Sequence, residues 1–202
     1  MLEARQLVLR RGDRQWNHDF VLEPGRTLAL TGPSGSGKTT LLEAVGGFVP
    51  VHSGELLLAG TALTGLPPEQ RPVSTLFQQH NLFEHIRVAD NLKLGFRHGR
   101  PDAASWSQVL AACAHLGVDE LLERYPGELS GGQRQRVALI RTVLRPQVIV
   151  VLDEPFSALD GDNRQRAGDW VHQQIRDSRR HLLFVTHQPD DTARWADEVL
   201  AL

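Results

Sequence analysis

Cysteine is nearly absent from this chain: one residue in 202, Cys113, excludes an internal disulfide and any cysteine-cluster metal site. That scarcity fits a reducing compartment, and its neighbours Leu110-Ala111-Ala112 and Ala114 make Cys113 read as a small buried helix residue. Long apolar runs are missing too. None approaches the ~18 residues that would cross a bilayer as a helix, and Met1 to Arg5 lacks the apolar stretch of a signal peptide. Charge of one sign is equally scarce, with 22 Lys and Arg against 24 Asp and Glu and a formal net charge of −2. This argues against a protein held to nucleic acid by bulk electrostatics, although a local basic groove would not show in the sum. There is no internal repeat and no low-complexity tract. The length suits one domain, with room for a subdomain and a substantial core.

What is present starts with Thr31 to Thr40, Thr-Gly-Pro-Ser-Gly-Ser-Gly-Lys-Thr-Thr. Gly32, Gly37, Lys38 and Thr39 occupy the fixed positions of a phosphate-binding loop. Polyphosphate must approach successive backbone N–H groups, so small residues are needed from Gly32 through Pro33, Ser34, Gly35, Ser36 and Gly37. The run Leu28-Ala29-Leu30 before it suits a buried strand, and Thr40 to Val45 after it suits a helix whose N-terminus favours an anion. Lys38 is expected on the β- and γ-phosphates, and Thr39 on Mg²⁺. By itself the loop specifies only a nucleoside triphosphate.

Gln6–Leu9, Phe20–Leu22 and Glu55–Leu58 read as strands of an antiparallel sheet, with Arg11 and Trp16 in the polar turn between the first two. Val73–Phe77 reads as a further strand. Val148–Leu152 and Leu182–Thr186 are continuous apolar runs, the mark of strands covered on both faces, and Glu198–Leu202 is expected as a last strand. Ala167, Trp170, Val171 and Ile175 share helical spacing. From Gln79 the pattern turns helical: Ser105 with Gln108 suggests a capping box for a helix through His115, and Asp119–Arg124 a short helix stopped by Pro126-Gly127. A helical insertion is therefore expected at roughly 80–145.

Two further motifs carry chemistry. Asp153-Glu154 directly follows a buried strand, where acids are costly without a nearby cation. Mg²⁺ on Asp153 supplies one, and leaves Glu154 to act as general base on the attacking water. Leu129-Ser130-Gly131-Gly132-Gln133 places an N-capping serine and two glycines before a helix through Leu144, a second anion-binding helix end.

Together these motifs make the chain resemble the ATP-binding subunit of an ATP-binding-cassette (ABC) transporter, over nearly its whole length and in the family's order. Gly32 to Thr39 resembles the phosphate loop, and Gln78 the glutamine that links Mg²⁺ to the coupling surface. Leu129 to Gln133 resembles the signature, Asp153 and Glu154 the metal-binding and catalytic acids, Ser157 to Asp160 the loop across the dimer interface, and His187 the switch histidine. The resemblance implies a single α/β domain over 1–202 of the P-loop NTPase (RecA-like) kind. A mostly parallel core and a small antiparallel β subdomain would occupy about 1–79 and 146–202, and a helical subdomain 80–145.

The same resemblance implies an ATPase with ATP and Mg²⁺ as cofactors. Glu154, His187, Lys38 and Gln78 would serve catalysis, and Thr39, Gln78 and Asp153 the metal. Nucleotide would be held by Gly32 to Thr40 of one subunit and by Ser130, Gly131, Gly132, Gln133 and Asp160 of a head-to-tail partner. The family stacks adenine on an aromatic after the first strand; Arg11 stands near that point and Trp16 slightly later, and either could stack on the base. Gln79 to His85 would meet a multi-spanning permease at the cytoplasmic face of a bacterial inner membrane. A periplasmic binding protein would be an indirect partner, and no nucleic acid is expected. The chain's close at Leu202 leaves no expected room for a regulatory domain. Pro67-Pro68, Arg71 to Gln78, Asn81-Leu82-Phe83 and Pro126-Gly127-Glu128 look most like importers of thiamine and its phosphates, with iron, polyamine and molybdate importers sharing parts. A soluble cassette ATPase acting on DNA or ribosomes, and a P-loop kinase or GTPase, are the readings from other classes.

Overall fold

The computed structural model describes residues 1–79 and 81–202, and its contacts divide the chain into two units. The first comprises Met1–Thr75, Gln147–Glu154 and His172–Leu202; the second comprises Leu76–Pro146 and Pro155–Val171.

In the first unit, β1 (Leu2–Arg11), β2 (Arg14–Leu22), β4 (Val51–Leu58) and β5 (Thr61–Ala62) form an antiparallel sheet in the order β2-β1-β4-β5. The strands are longer than their apolar runs. β1 begins at Leu2, and its register slips between Ala4 and Leu7, where Gln6 adopts a φ of 45° and donates its N–H to Asp19. That bulge interrupts the alternation from which a strand beginning only at Gln6 was expected. The turn after β1 is also shorter than expected. Arg11 is the last residue of β1 and Trp16 lies inside β2, paired with Leu9, so only Gly12-Asp13 turns the chain.

The second sheet runs β6-β7-β8-β3-β9, from β3 (Thr27–Thr31), β6 (Val73–Leu76), β7 (Ile149–Asp153), β8 (His181–Val185) and β9 (Glu198–Ala201). The pairs β7–β8, β8–β3 and β3–β9 are parallel. β7 and β8 are buried at every position, as continuous apolar runs require. α1 (Lys38–Gly46) packs its Leu41, Leu42, Ala44 and Val45 into the core shared with Leu28, Leu30, Val151 and Leu183. Arg71 closes its far end. The buried guanidinium donates to the carbonyls of Ala44 at 2.5 Å and Val45 at 3.0 Å, satisfying acceptors that a helix C-terminus leaves open.

The second unit holds α2 (Val88–Lys93), α3 (Ala103–His115), α4 (Gly131–Val143) and the first part of α5 (Gly161–Asp177); the unit boundary falls within α5, and α6 (Pro189–Trp195) belongs to the first unit. The cap of α3 is Asp102, not Ser105: its carboxylate accepts the Ser105 N–H at 2.7 Å. An aspartate three residues ahead supplies the same acceptor and starts the helix earlier. The expected helix at Asp119–Arg124 is one 3₁₀ turn, Asp119–Leu121, and a second such turn covers Pro126–Glu128. Cys113 is buried in α3, and burial pushes its thiol up to about 12. The thiol is therefore inert packing at neutral pH.

Candidate active site

β7, β8 and β3 are neighbours, and each delivers polar groups at its C-terminal end, the edge at which open α/β sheets bind ligands. β3 leads through Gly32 to Gly37 into α1. Gly32 has a φ of 136°, and a Cβ there would fall 2.4 Å from the Leu202 carbonyl oxygen. Gly37 has a φ of 102°, and a Cβ there would meet the Trp16 indole at 2.7 Å. Strain and space together keep the loop backbone bare. Gly37 is also the N-cap of α1 and offers its first N–H groups no side-chain acceptor, which suits them to an anion. The Ser36 hydroxyl oxygen is buried in the same loop without a partner among the described residues.

Lys38 is buried, and its ammonium donates to the carbonyls of Gly32 and Pro33, each at 2.8 Å. Two neutral acceptors satisfy hydrogen bonds without neutralising the charge, which phosphate would do. Beside it, the Thr39 hydroxyl donates to Asp153 Oδ2 at 3.0 Å. Burial raises the Asp153 carboxyl above its usual range. The Thr39 hydrogen bond opposes this, while the negative charges of Glu154 and Glu43 add to it. A buried acid crowded by two others is stabilised by a cation. No cage of three His, Cys, Asp or Glu side chains exists among the described residues. The Thr39 hydroxyl and the Asp153 carboxylate are the oxygens that would hold Mg²⁺, a cation that takes one or two protein oxygens and completes its shell with phosphate and water.

Glu154 follows β7 with a φ of 48°, a left-handed conformation rare for a side-chain-bearing residue. Its Oε1 lies 3.1 Å from His187 Nε2, so the ends of β7 and β8 bring the two residues together. The turn carrying His187 is pinned by two buried residues, Thr186 at the end of the expected strand and Asp191, which the sequence did not single out. The Thr186 hydroxyl donates to Asp191 at 2.6 Å and accepts the Gln188 N–H at 3.1 Å. A cleft of about 490 Å³ runs alongside, lined by Thr31, Gly32, Thr186, His187, Pro189 and neighbouring side chains.

The two adenine candidates sit differently. Arg11 pairs with Glu43 on α1 at 3.3 Å. Trp16 is half-buried, packs on the core and covers Gly37. Arg14, two residues earlier on the same face of β2, reaches Gly35, where a Cβ would lie 2.9 Å from its guanidinium. The alternation of a strand would have revealed Arg14, had β2 been placed correctly.

In the second unit, Ser130 caps α4 in a reciprocal box. Its hydroxyl accepts the Gln133 N–H at 3.3 Å, and Gln133 Oε1 accepts the Ser130 N–H at 2.9 Å. The N–H groups of Gly131 and Gly132 have no partner within the helix by its geometry. A Cβ on Gly132 would lie 3.0 Å from the Ala158 carbonyl oxygen. Gln135, another residue not singled out in sequence, accepts the Ala158 N–H at 2.8 Å and ties the 155–160 loop to α4. Asp160 caps α5 by accepting the Asn163 N–H at 3.0 Å; that bond holds its carboxyl below the usual range. Gln78 and Gln79 are exposed, and His80 lies outside the described residues.

A family model described as "ABC transporter" matches residues 16–157. The chain belongs to the ABC transporter family. It is an ATPase of that family, and ATP is its nucleotide. It is 47% identical over 178 residues to the Thiamine import ATP-binding protein ThiQ of Escherichia coli (strain K12), covering 88% of this chain and 77% of that protein. The Salmonella typhimurium protein of the same name is 48% identical, over 88% of this chain and 76% of its own length. Among solved structures, "Structure of ATP binding subunit of ABC transporter" superposes with a TM-score of 0.88 at 22% identity, over 100% of this chain and 85% of that one. A dimeric bacterial ABC transporter cassette gives 0.86 at 23% identity, covering 100% and 94%. The α/β cassette fold is thereby shown, with its parallel sheet and its antiparallel sheet.

Proposed function

We propose that this ABC ATPase powers a thiamine importer, working as a head-to-tail pair on the cytoplasmic face of the inner membrane. The observation that carries the cargo is 47–48% identity, along 88% of the chain, to proteins named for thiamine import. Gly32 to Thr40, with Lys38, bind the triphosphate through backbone N–H groups, the ammonium and the dipole of α1. Thr39 and Asp153, with Gln78, would hold Mg²⁺, which would supply charge neutralisation to the bound triphosphate.

Glu154 takes a proton from the attacking water as the oxygen–γ-phosphorus bond forms and the bridging bond to the β-phosphate breaks, giving ADP and phosphate. His187 orients that carboxylate, and the 3.1 Å contact supports its assignment. Ser130 to Gln133 and Asp160 close over the nucleotide of the partner subunit. Trp16 and Arg11 take the adenine, with Trp16 favoured because it already overlies Gly37. Residues 79–85, among them the exposed Phe83 and preceded by the exposed Phe77, meet the permease. Among the described residues no helix is long and apolar enough to cross a membrane, so attachment runs through that partner. A periplasmic binding protein would deliver thiamine to it.

The test is to purify the tagged chain from membranes of its source cell and assay ATP hydrolysis with its co-purified permease. Thiamine-stimulated turnover is expected. Stimulation by iron, a polyamine or molybdate instead would reassign the cargo, and recovery with ribosomes or DNA would overturn the transporter reading.

A further inference from the structure

Two exposed aromatics, Phe77 and Phe83, stand on the loop that leads into α2, and each is held by an asparagine. Asn81 accepts the Phe77 N–H at 2.9 Å and donates back to the Phe77 carbonyl. Asn91, fully buried in α2, accepts the Phe83 N–H at 2.8 Å and donates to the carbonyls of Phe83, Ile86 and Arg87 at 3.0–3.2 Å. Both asparagines converge on one side chain of α4. Arg141 donates to the Asn81 carbonyl and, at 3.4 Å, to Asn91 Oδ1, while its guanidinium lies 5.8 Å from the Phe83 ring centroid. Nearer the N-terminus of α4, Arg134 pairs with Glu84 of the same loop at 3.5 Å. The loop is thus strapped along the helix whose first turn is Ser130 to Gln133.

From this geometry we infer that Arg141 is a positioning residue. Through Asn81 and Asn91 it fixes both exposed aromatics relative to the signature end of α4, so that loop and helix move as one body. The inference rests on the reading that this loop meets the permease. A planar fork is required for it. The two bonds leave different nitrogens of the guanidinium, Nη2 to the Asn81 carbonyl and Nη1 to the Asn91 amide oxygen, an arrangement that lysine's single, differently placed nitrogen does not reproduce. Burial pulls the Arg141 guanidinium down to about 10, which leaves it cationic at neutral pH. Displacing bound groups by about an ångström commonly costs a large factor in rate.

The experiment compares Arg141→Lys and Asn91→Ala with the parent chain. Three measurements are made: basal ATPase of the isolated subunit, permease-stimulated ATPase, and amide hydrogen exchange at 82–87 and 131–140. Expected are unchanged basal turnover and KM for ATP, about tenfold weaker stimulation, and faster exchange at 82–87 with the helix unaltered. Undiminished stimulation with parental exchange at 82–87 overturns the inference. So does an equal fall in basal and stimulated rates with a lowered melting temperature, which would make these residues plain supports of the fold. If no permease stimulates even the parent chain, the functional reading fails by itself and the exchange decides. Faster exchange at 82–87 then upholds the strap, and unchanged exchange refutes it.

Discussion

At Lys38 a positive charge is buried with two carbonyl acceptors, a placement that costs the folded chain unless an anion is to come. Removing one member of a buried charge-assisted pair typically costs ~2–5 kcal/mol. Lys38→Ala is therefore expected to weaken ATP binding by about 10² or more, measured by calorimetric titration alongside a thermal melt to confirm folding. Near-parental affinity in a folded variant would remove the phosphate role. Glu154 shows the same economy at the next strand end. Its left-handed backbone aims the carboxylate at His187, and such strain persists where surrounding structure imposes it.

At the scale of elements, the strand β8 carries a liability at its start. His181 is buried in the sheet, and burial, helped by the N-terminal ammonium, pushes its imidazole down to about 4. The folded chain thus keeps this ring neutral while the unfolded chain protonates it near pH 6.5. Above pH 6.5 neither state is penalised. Between 6.5 and 4 the unfolded state binds the extra proton, so stability falls as pH falls, by about 3 kcal/mol across the window. Buried His18, also lowered chiefly by burial, acts with the same sign. Melting curves from pH 7.5 to 4.5 should show this loss, and His181→Gln should flatten most of it. An equal slope in the variant would place the proton uptake elsewhere.

The strand β7 was the most legible element in sequence, because the five consecutive apolar residues Val148–Leu152 permit little besides a strand covered on both faces. The phosphate loop, Asp153-Glu154 and Ser130 to Gln133 were readable for a related reason: the chemistry demands particular residues at fixed spacing. What escaped depended on contacts far along the chain. Arg71 closing α1, Asp191 bracing Thr186 and Gln135 holding Ala158 are ordinary polar residues whose partners only folding supplies. The bulge at Gln6 and the tight turn at Gly12-Asp13 hid the true extent of β1 and β2, and with it Arg14 over the loop.

For the whole molecule, the decisive question is how a chain with two anion-ready helix ends uses both. α1 opens after Gly37 with no side-chain cap and is the end proposed for the phosphates, whereas the end of α4 presents the N–H groups of Gly131 and Gly132 beside a serine already committed to its cap. A two-fold pair gives each such end a nucleotide bound by the other copy and closes on itself without further growth. On the proposed function, such a pair would form only while the γ-phosphate remains. Glu154→Gln, slowed by ~10²–10⁴-fold in hydrolysis, should therefore sediment as a dimer with ATP and as a monomer with ADP. Adding Ser130→Arg places a bulky cation where the partner's nucleotide would lie. The double variant should stay monomeric while binding ATP almost as the single variant does. Dimers that survive Ser130→Arg, or ATP binding lost in step with dimerisation, would mean that the signature end is not shared across subunits.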